Sequence, residues 1–269
     1  LPMIPFRRLS NYTLRPVRSL AQKSLAAFAL TALFAACGPP EAPPKDPQSD
    51  GTAKPIATPW PTVNEKLRGG FWPGCHVIAG GTGDGKTQLA LQTAVEAALA
   101  NVPVLYIALE LDRAQLIARI VALLMGRQSG SGHAPKWSDL YYGTDARLME
   151  RAVPYFEQVK TLPIRLEEGD AFGWHAQRLY RRIAGLRERH PEPNGKGSAP
   201  LLVVLDYLQL IADAPPIPGT RSLDLRERIG RAAYLGRIAA RDFSAAVLLL
   251  SAVARDSVTK MAKIVKDDE

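Results

Sequence analysis

Residues 80–87 read GGTGDGKT: a glycine, four residues, then Gly85, Lys86 and Thr87 at fixed offsets. This stretch constrains the fold more than any other, because its flanks demand a passage from strand to turn to helix. The segment HVIAGG (76–81) before it is a short apolar run ending in glycine. The segment KTQLALQTAVEAALAN (86–101) after it puts Leu89, Ala90, Thr93, Ala94 and Ala97 on one face at helical spacing. Glycines in such a turn let backbone N–H groups converge, and the helix start adds positive potential at the same point. The result is a cradle for phosphate oxygens, the G-x-x-x-x-G-K-[ST] loop. Gly80, Gly81, Thr82, Gly83, Asp84, Gly85, Lys86, Thr87 and Gln88 are expected around the phosphates of ATP. Lys86 would reach the β- and γ-phosphates, and the Thr87 hydroxyl would bind Mg²⁺.

The rest of the chain alternates strands and helices, with no internal repeat. VPVLYIALEL (102–111), LPIRLEE (162–168), LLVVLDYLQLI (201–211) and AAVLLLSAV (245–253) read as strands. RAQLIARIVALLMG (113–126) reads as a helix closed by Gly126, and SGSGHAPKWSDLYYG (129–143) as a loop. DARLMERAVPYFEQV (145–159) reads as a helix open to interruption at Pro154. HAQRLYRRIAGLRERH (175–190) and RSLDLRERIGRAAYLGRIAARDF (221–243) are helical, the first with a basic face. Nearly continuous apolar strands between helices predict an α/β fold, a mostly parallel sheet covered on both faces.

A phosphate loop that binds Mg²⁺ needs a carboxylate nearby. Asp206 follows five apolar residues, Leu201 to Leu205, and so stands at the carboxyl end of a buried strand. Hydrolysis also needs a group to orient or deprotonate water. Glu110 ends the strand VLYIALE, at the edge where active sites of parallel sheets form. The residues alone leave Glu110 open between that role and service at the start of the following helix, where Asp112 also stands.

Composition bears on partners and compartment. The net charge of +8 suits a polyanion such as nucleic acid, without specifying one. Two cysteines, Cys37 and Cys75, form neither a disulfide framework nor a metal cluster. The N-terminal segment 1–36 carries Arg15, Arg18 and Lys23 before an apolar stretch, Leu25 to Ala36, and then Cys37. One reading is a secretory signal with a lipoprotein-like box and a lipid anchor on Cys37. The reading preferred here is an amphipathic or buried helix of a cytoplasmic protein, since ATP is scarce outside the cytoplasm. Residues 37–61 are proline-rich and read as a linker, and residues 62–269 as the globular domain.

The segments 67–99, PVLYIALEL (103–111), LLVVLDYLQLI and VLLLSAVAR (247–255) together resemble the core of the RecA superfamily. More closely, they resemble the C-terminal ATPase domain of DnaB-type replicative helicases over roughly residues 58 to 260. The resemblance implies a RecA-like P-loop ATPase that works on single-stranded DNA in replication, as a homo-oligomeric ring such as a hexamer. It makes Glu110 the catalytic glutamate and Asp206 the Mg²⁺-binding aspartate. In a ring, the loops after Asp206 and Ser251 would face a central channel and bring Arg221, Arg255 and Lys260 to DNA. Two features depart from the family. Ala252 stands where a γ-phosphate-sensing glutamine is usual, and the family's later strands and arginine finger have no counterpart, so the domain reads as C-terminally truncated. These departures keep two other expectations open: a non-unwinding RecA-like ATPase in recombination or signalling, and an ATP-binding interaction protein without turnover.

Overall fold

The computed structural model describes residues 53–129, 134–169, 174, 176–190, 200–208 and 224–252. The N-terminal segment, Cys37, most of the linker, and Arg221, Arg255 and Lys260 lie outside the described residues. The elements run α1 (Pro61–Lys66), β1 (Gly74–Gly80), α2 (Lys86–Leu99), β2 (Val104–Ala108), α3 (Arg113–Gln128), α4 (Trp137–Tyr142), α5 (Ala146–Thr161), β3 (Ile164–Glu168), α6 (Ala176–Arg189), β4 (Leu202–Asp206), α7 (Leu225–Asp242) and β5 (Ala246–Ala252).

The five strands form one sheet in the order β1-β5-β4-β2-β3, and every pairing is parallel. The central strands are apolar throughout because both of their faces are covered. Val104, Tyr106, Ala108, Leu202, Val204, Leu248 and Leu250 face a layer built from α2 and α3. Leu105, Ile107, Val203, Leu205, Val247 and Leu249 face the opposite layer, where Leu179, Ile183 and Leu186 of α6 and Ala239 and Ala240 of α7 pack. The period of two along each strand thus feeds two cores at once. A third cluster lies outside α3, where Ala118, Val121, Ala122 and Met125 meet Leu140 of α4 and Ala152 of α5.

The structure shifts several boundaries. α3 runs through Gly126 to Gln128, so that glycine does not close the helix. A Cβ there would lie 2.7 Å from the Cβ of Ala134, and close approach is what Gly126 provides. The stretch read as a loop over 129–143 contains α4, whose Leu140 is buried against α3. α5 continues past Pro154, which lies on the exposed side along with Glu150, the residue whose carbonyl loses its partner there. β2 ends at Ala108, leaving Glu110 two residues beyond the strand. Residues 55–58, assigned to the linker by composition, are packed: Ile56 pairs with Phe71 in an antiparallel bridge, and Ile56 and Thr58 are buried.

Because all strands are parallel, their carboxyl ends share one edge. Gly80 lies opposite Ala252, and Ala108 opposite Asp206. β5 separates β1 from β4.

Candidate active site at the carboxyl edge of the sheet

The loop from Gly80 to Lys86 folds on itself. Gly83 and Gly85 both take φ of 87°, in the left-handed region, and a Cβ at either would meet nothing within 4 Å. Backbone conformation, not space, therefore calls for glycine at these two positions. Gly85 is also the N-cap of α2, and its carbonyl accepts from Leu89 N–H at 2.9 Å. Lys86 Nζ donates to the carbonyls of Gly80 at 3.0 Å and Gly81 at 2.7 Å, which folds the ammonium over the loop. The Asp84 carboxylate accepts from Gly81 N–H at 2.6 Å. One acidic oxygen thus already sits on an amide of the loop, at the place where the sequence motif calls for a phosphate oxygen.

Asp206 closes the site from β4. It is 3% exposed, and its Oδ2 accepts from the Tyr106 hydroxyl at 2.9 Å. The Thr87 hydroxyl is close enough to the same carboxylate to favour its ionised form, and the charges of Glu110 and Lys86 both reach it. Burial pushes Asp206 above the usual carboxylate range; the Tyr106 hydrogen bond, the nearby Thr87 hydroxyl and the Lys86 charge pull it down, while Glu110 pushes it further up. Tyr106 is fully buried, and its phenol is held well above its ordinary value, first by burial and then by Asp206. Leu109 N–H donates to the main-chain oxygen of Asp206 at 2.7 Å, tying the ends of β2 and β4 together.

Glu110 is exposed at this edge. The helix-start duty left open by the sequence falls to Asp112, the N-cap of α3, whose side chain accepts from Gln115 N–H at 2.7 Å. Arg119, two turns into α3, stacks its guanidinium 4.1 Å from the centre of the Trp137 ring and lies within reach of the charge of Asp206. Its Nε is buried without a hydrogen-bond partner among the described residues.

Thus Lys86, Thr87, Glu110 and Asp206, picked out from separate stretches of sequence, meet at one edge. Ala252 ends β5 directly opposite Gly80. Sequence reading missed Tyr106, Arg119 and the carboxylate contact of Asp84. Tyr106 carried one signal, a lone polar group in the run VLYIA, but its partner is visible only once β2 and β4 are placed side by side. The donors at hand, a hydroxyl and a carboxylate, are hard oxygen ligands. Mg²⁺ commonly takes one or two such protein oxygens and completes its shell with phosphates and water. Thr87 and Asp206 fit that pattern. Among the described residues no helix is long and apolar enough to cross a membrane.

An all-parallel sheet with a glycine loop leading into a helix, and an aspartate at the end of a strand separated from the loop's strand by one other, defines a RecA-like P-loop nucleotide-binding domain. Residues 56–264 match the DnaB-like helicase C-terminal domain, and the chain belongs to that family. It therefore carries an ATPase domain of the replicative-helicase type. Among solved structures it is similar to an ATPase domain at 17% identity and a TM-score of 0.55, over 86% of this chain and 72% of that one. It is also similar to a DnaB-like replicative helicase studied for its interactions with primase, at 17% identity and a TM-score of 0.54. That match covers 85% of this chain but only 48% of the helicase. At such identity the likeness speaks for the fold alone. No curated protein matches the chain.

Proposed function

We propose that the chain is a DnaB-type motor ATPase that hydrolyses ATP with Mg²⁺ and acts on single-stranded DNA in replication. The observation that carries this is the meeting of Lys86, Thr87, Glu110 and Asp206 at the carboxyl edge of the sheet. The backbone N–H groups from Gly81 to Thr87 and the start of α2 hold the ATP phosphates. Lys86 moves from the loop carbonyls onto the β- and γ-phosphates. Thr87 and Asp206 hold Mg²⁺, which when bound neutralises charge on the phosphate oxygens. Glu110 orients the attacking water and accepts its proton. Subunits stack head to tail in a ring such as a hexamer, with Arg221, Arg255 and Lys260 on loops near the DNA. The setting is the cytoplasm.

Ala252 supports one refinement. It stands opposite Gly80, beside the phosphates, and its methyl group cannot hydrogen-bond a γ-phosphate. Nucleotide state is then weakly relayed to the following loop, which favours a DNA-stimulated ATPase that unwinds poorly.

The test compares ATPase rate with and without single-stranded DNA at low and moderate salt, alongside strand displacement and calorimetry of ATP binding. The expected result is Mg²⁺-dependent binding lost in Lys86→Ala, and a salt-sensitive stimulation by DNA with little unwinding. Equal ATP affinity in the parent and Lys86→Ala would remove the nucleotide site. Turnover without any DNA effect would favour the signalling-type ATPase, and binding without turnover the interaction protein.

A further inference from the structure

The hydroxyl of Tyr106 has no packing task that a phenylalanine ring could not perform. The residue is fully buried in β2, among Val104, Leu105, Ile107 and Ala108, which are apolar and equally buried. Burying a hydroxyl there is unfavourable unless it finds a partner. Its partner is Oδ2 of Asp206, 2.9 Å away and 100 residues along the chain. The register explains the meeting. Ala108 lies opposite Asp206, so Tyr106 stands two residues back on the adjacent strand. Even-numbered residues of both strands share one face, and an aromatic side chain spans the diagonal. From the same strand end, Leu109 N–H holds the main-chain oxygen of Asp206. β2 therefore grips Asp206 at both backbone and side chain.

We propose that Tyr106 is a positioning residue of the metal site: it fixes Oδ2 of Asp206 and so sets the direction in which the carboxylate meets Thr87 and a divalent cation. This rests on the reading of Thr87 and Asp206 as cation ligands. Groups that orient a metal ligand from behind typically change metal affinity about 10- to 100-fold when removed. Tyr106→Phe keeps the ring and deletes only the donor.

The experiment uses the full chain and titrates Mg²⁺ against ATP binding by calorimetry, with a matching series in EDTA. Mn²⁺ replaces Mg²⁺ in a parallel set read by electron paramagnetic resonance. In Tyr106→Phe, ATP binding in EDTA should stay within about twofold of the parent. The cation concentration giving half of the affinity gain should rise about 10-fold, and the Mn²⁺ spectrum of the ATP complex should change. A lowered melting temperature with an unmoved cation midpoint and an unchanged Mn²⁺ spectrum would overturn the proposal, since that is what a purely structural hydroxyl gives. Thr87→Ala separates the two levels. If it shifts the midpoint and Tyr106→Phe does not, this inference alone falls; if the parent shows no cation dependence, the reading of the site falls with it. Should Tyr106→Phe fail to fold, 3-fluorotyrosine at position 106 keeps the hydroxyl and reports by fluorine NMR. Its resonance should move when Mg²⁺ is added to the ATP complex, and a resonance indifferent to Mg²⁺ overturns the proposal.

Discussion

Two halves of the nucleotide site are built from contacts of opposite reach. Within the phosphate loop the hydrogen bonds are short in reach: Asp84 holds Gly81, and Lys86 holds Gly80 and Gly81, all within six residues. Around Asp206 the partners come from afar. Tyr106 arrives from β2 and Leu109 from the residue just after it, and Thr87 of α2 lies near enough to act on the carboxylate. The loop half is largely exposed from Thr82 to Gly85, and the Asp206 half is buried. The difference bears on how each half works. The local half is a cradle whose shape is set by glycine φ angles and by contacts within the loop. The distant half exists only when the sheet has formed, so it couples chemistry to the integrity of the fold.

The largest effect should separate the halves by function. In the proposed mechanism binding belongs to the loop, while turnover needs Glu110, two residues beyond β2. Glu110→Gln should keep ATP binding and lower kcat by about 10²- to 10⁴-fold, the usual contribution of a general base. Single-turnover rates beside calorimetric affinities measure this. An unchanged rate would leave Glu110 without a role in chemistry, and the division of labour would break.

The same division explains how far the sequence could be read. The loop is a pattern of consecutive residues, so Gly80 to Gln88 could be named together from their offsets. Asp206 was legible because five apolar residues precede it, which marks a buried strand end. Its partners were not, because Tyr106 meets Asp206 through strand register, and register belongs to the whole sheet. Secondary structure failed for the same reason. Gly126 looked like a helix stop, but its small size serves a contact with Ala134. α4 looked like a loop because its six residues follow a glycine- and serine-rich stretch, and it packs as a helix by burying Leu140 against α3. Glu110 and Asp112 both stood before α3 in the sequence, and the backbone conformation makes Asp112 the N-cap.

A smaller effect would sharpen the local half. The Asp84 carboxylate occupies Gly81 N–H and adds negative charge where phosphate would bind. Asp84→Ala should free that amide and tighten ATP binding roughly 2- to 10-fold, the worth of one exchanged hydrogen bond. Fluorescent-nucleotide titration at fixed Mg²⁺ measures it. Weaker binding instead would mean that Asp84 holds the loop in its working shape.

The smallest effect concerns the cost of the buried half. Burial raises the pKa of Asp206 in the folded protein above its unfolded value. The native state then binds that proton more tightly than the unfolded chain, so stability falls as pH rises through the raised value. Where the carboxylate is ionised, that form is less favourable in the fold than in the unfolded chain. Asp206→Asn keeps the shape and cannot ionise. Its carbonyl oxygen still accepts from Tyr106, and the Thr87 hydroxyl, which rotates freely, turns to accept from the new amide. In the absence of nucleotide and metal, Asp206→Asn should therefore melt above the parent at pH 7. Each kcal/mol relieved would appear as about 2–4 °C in a domain of this size. The gap should narrow as pH drops from the raised value toward the ordinary carboxylate range, because the parent then protonates and sheds the same cost. Thermal melts between pH 5 and 8 follow it. If Asp206→Asn melts lower at pH 7, the hydrogen bonds of the ionised carboxylate outweigh its burial. The distant half would then stabilise the fold as well as depend on it, and the contrast with the phosphate loop would lie in reach alone.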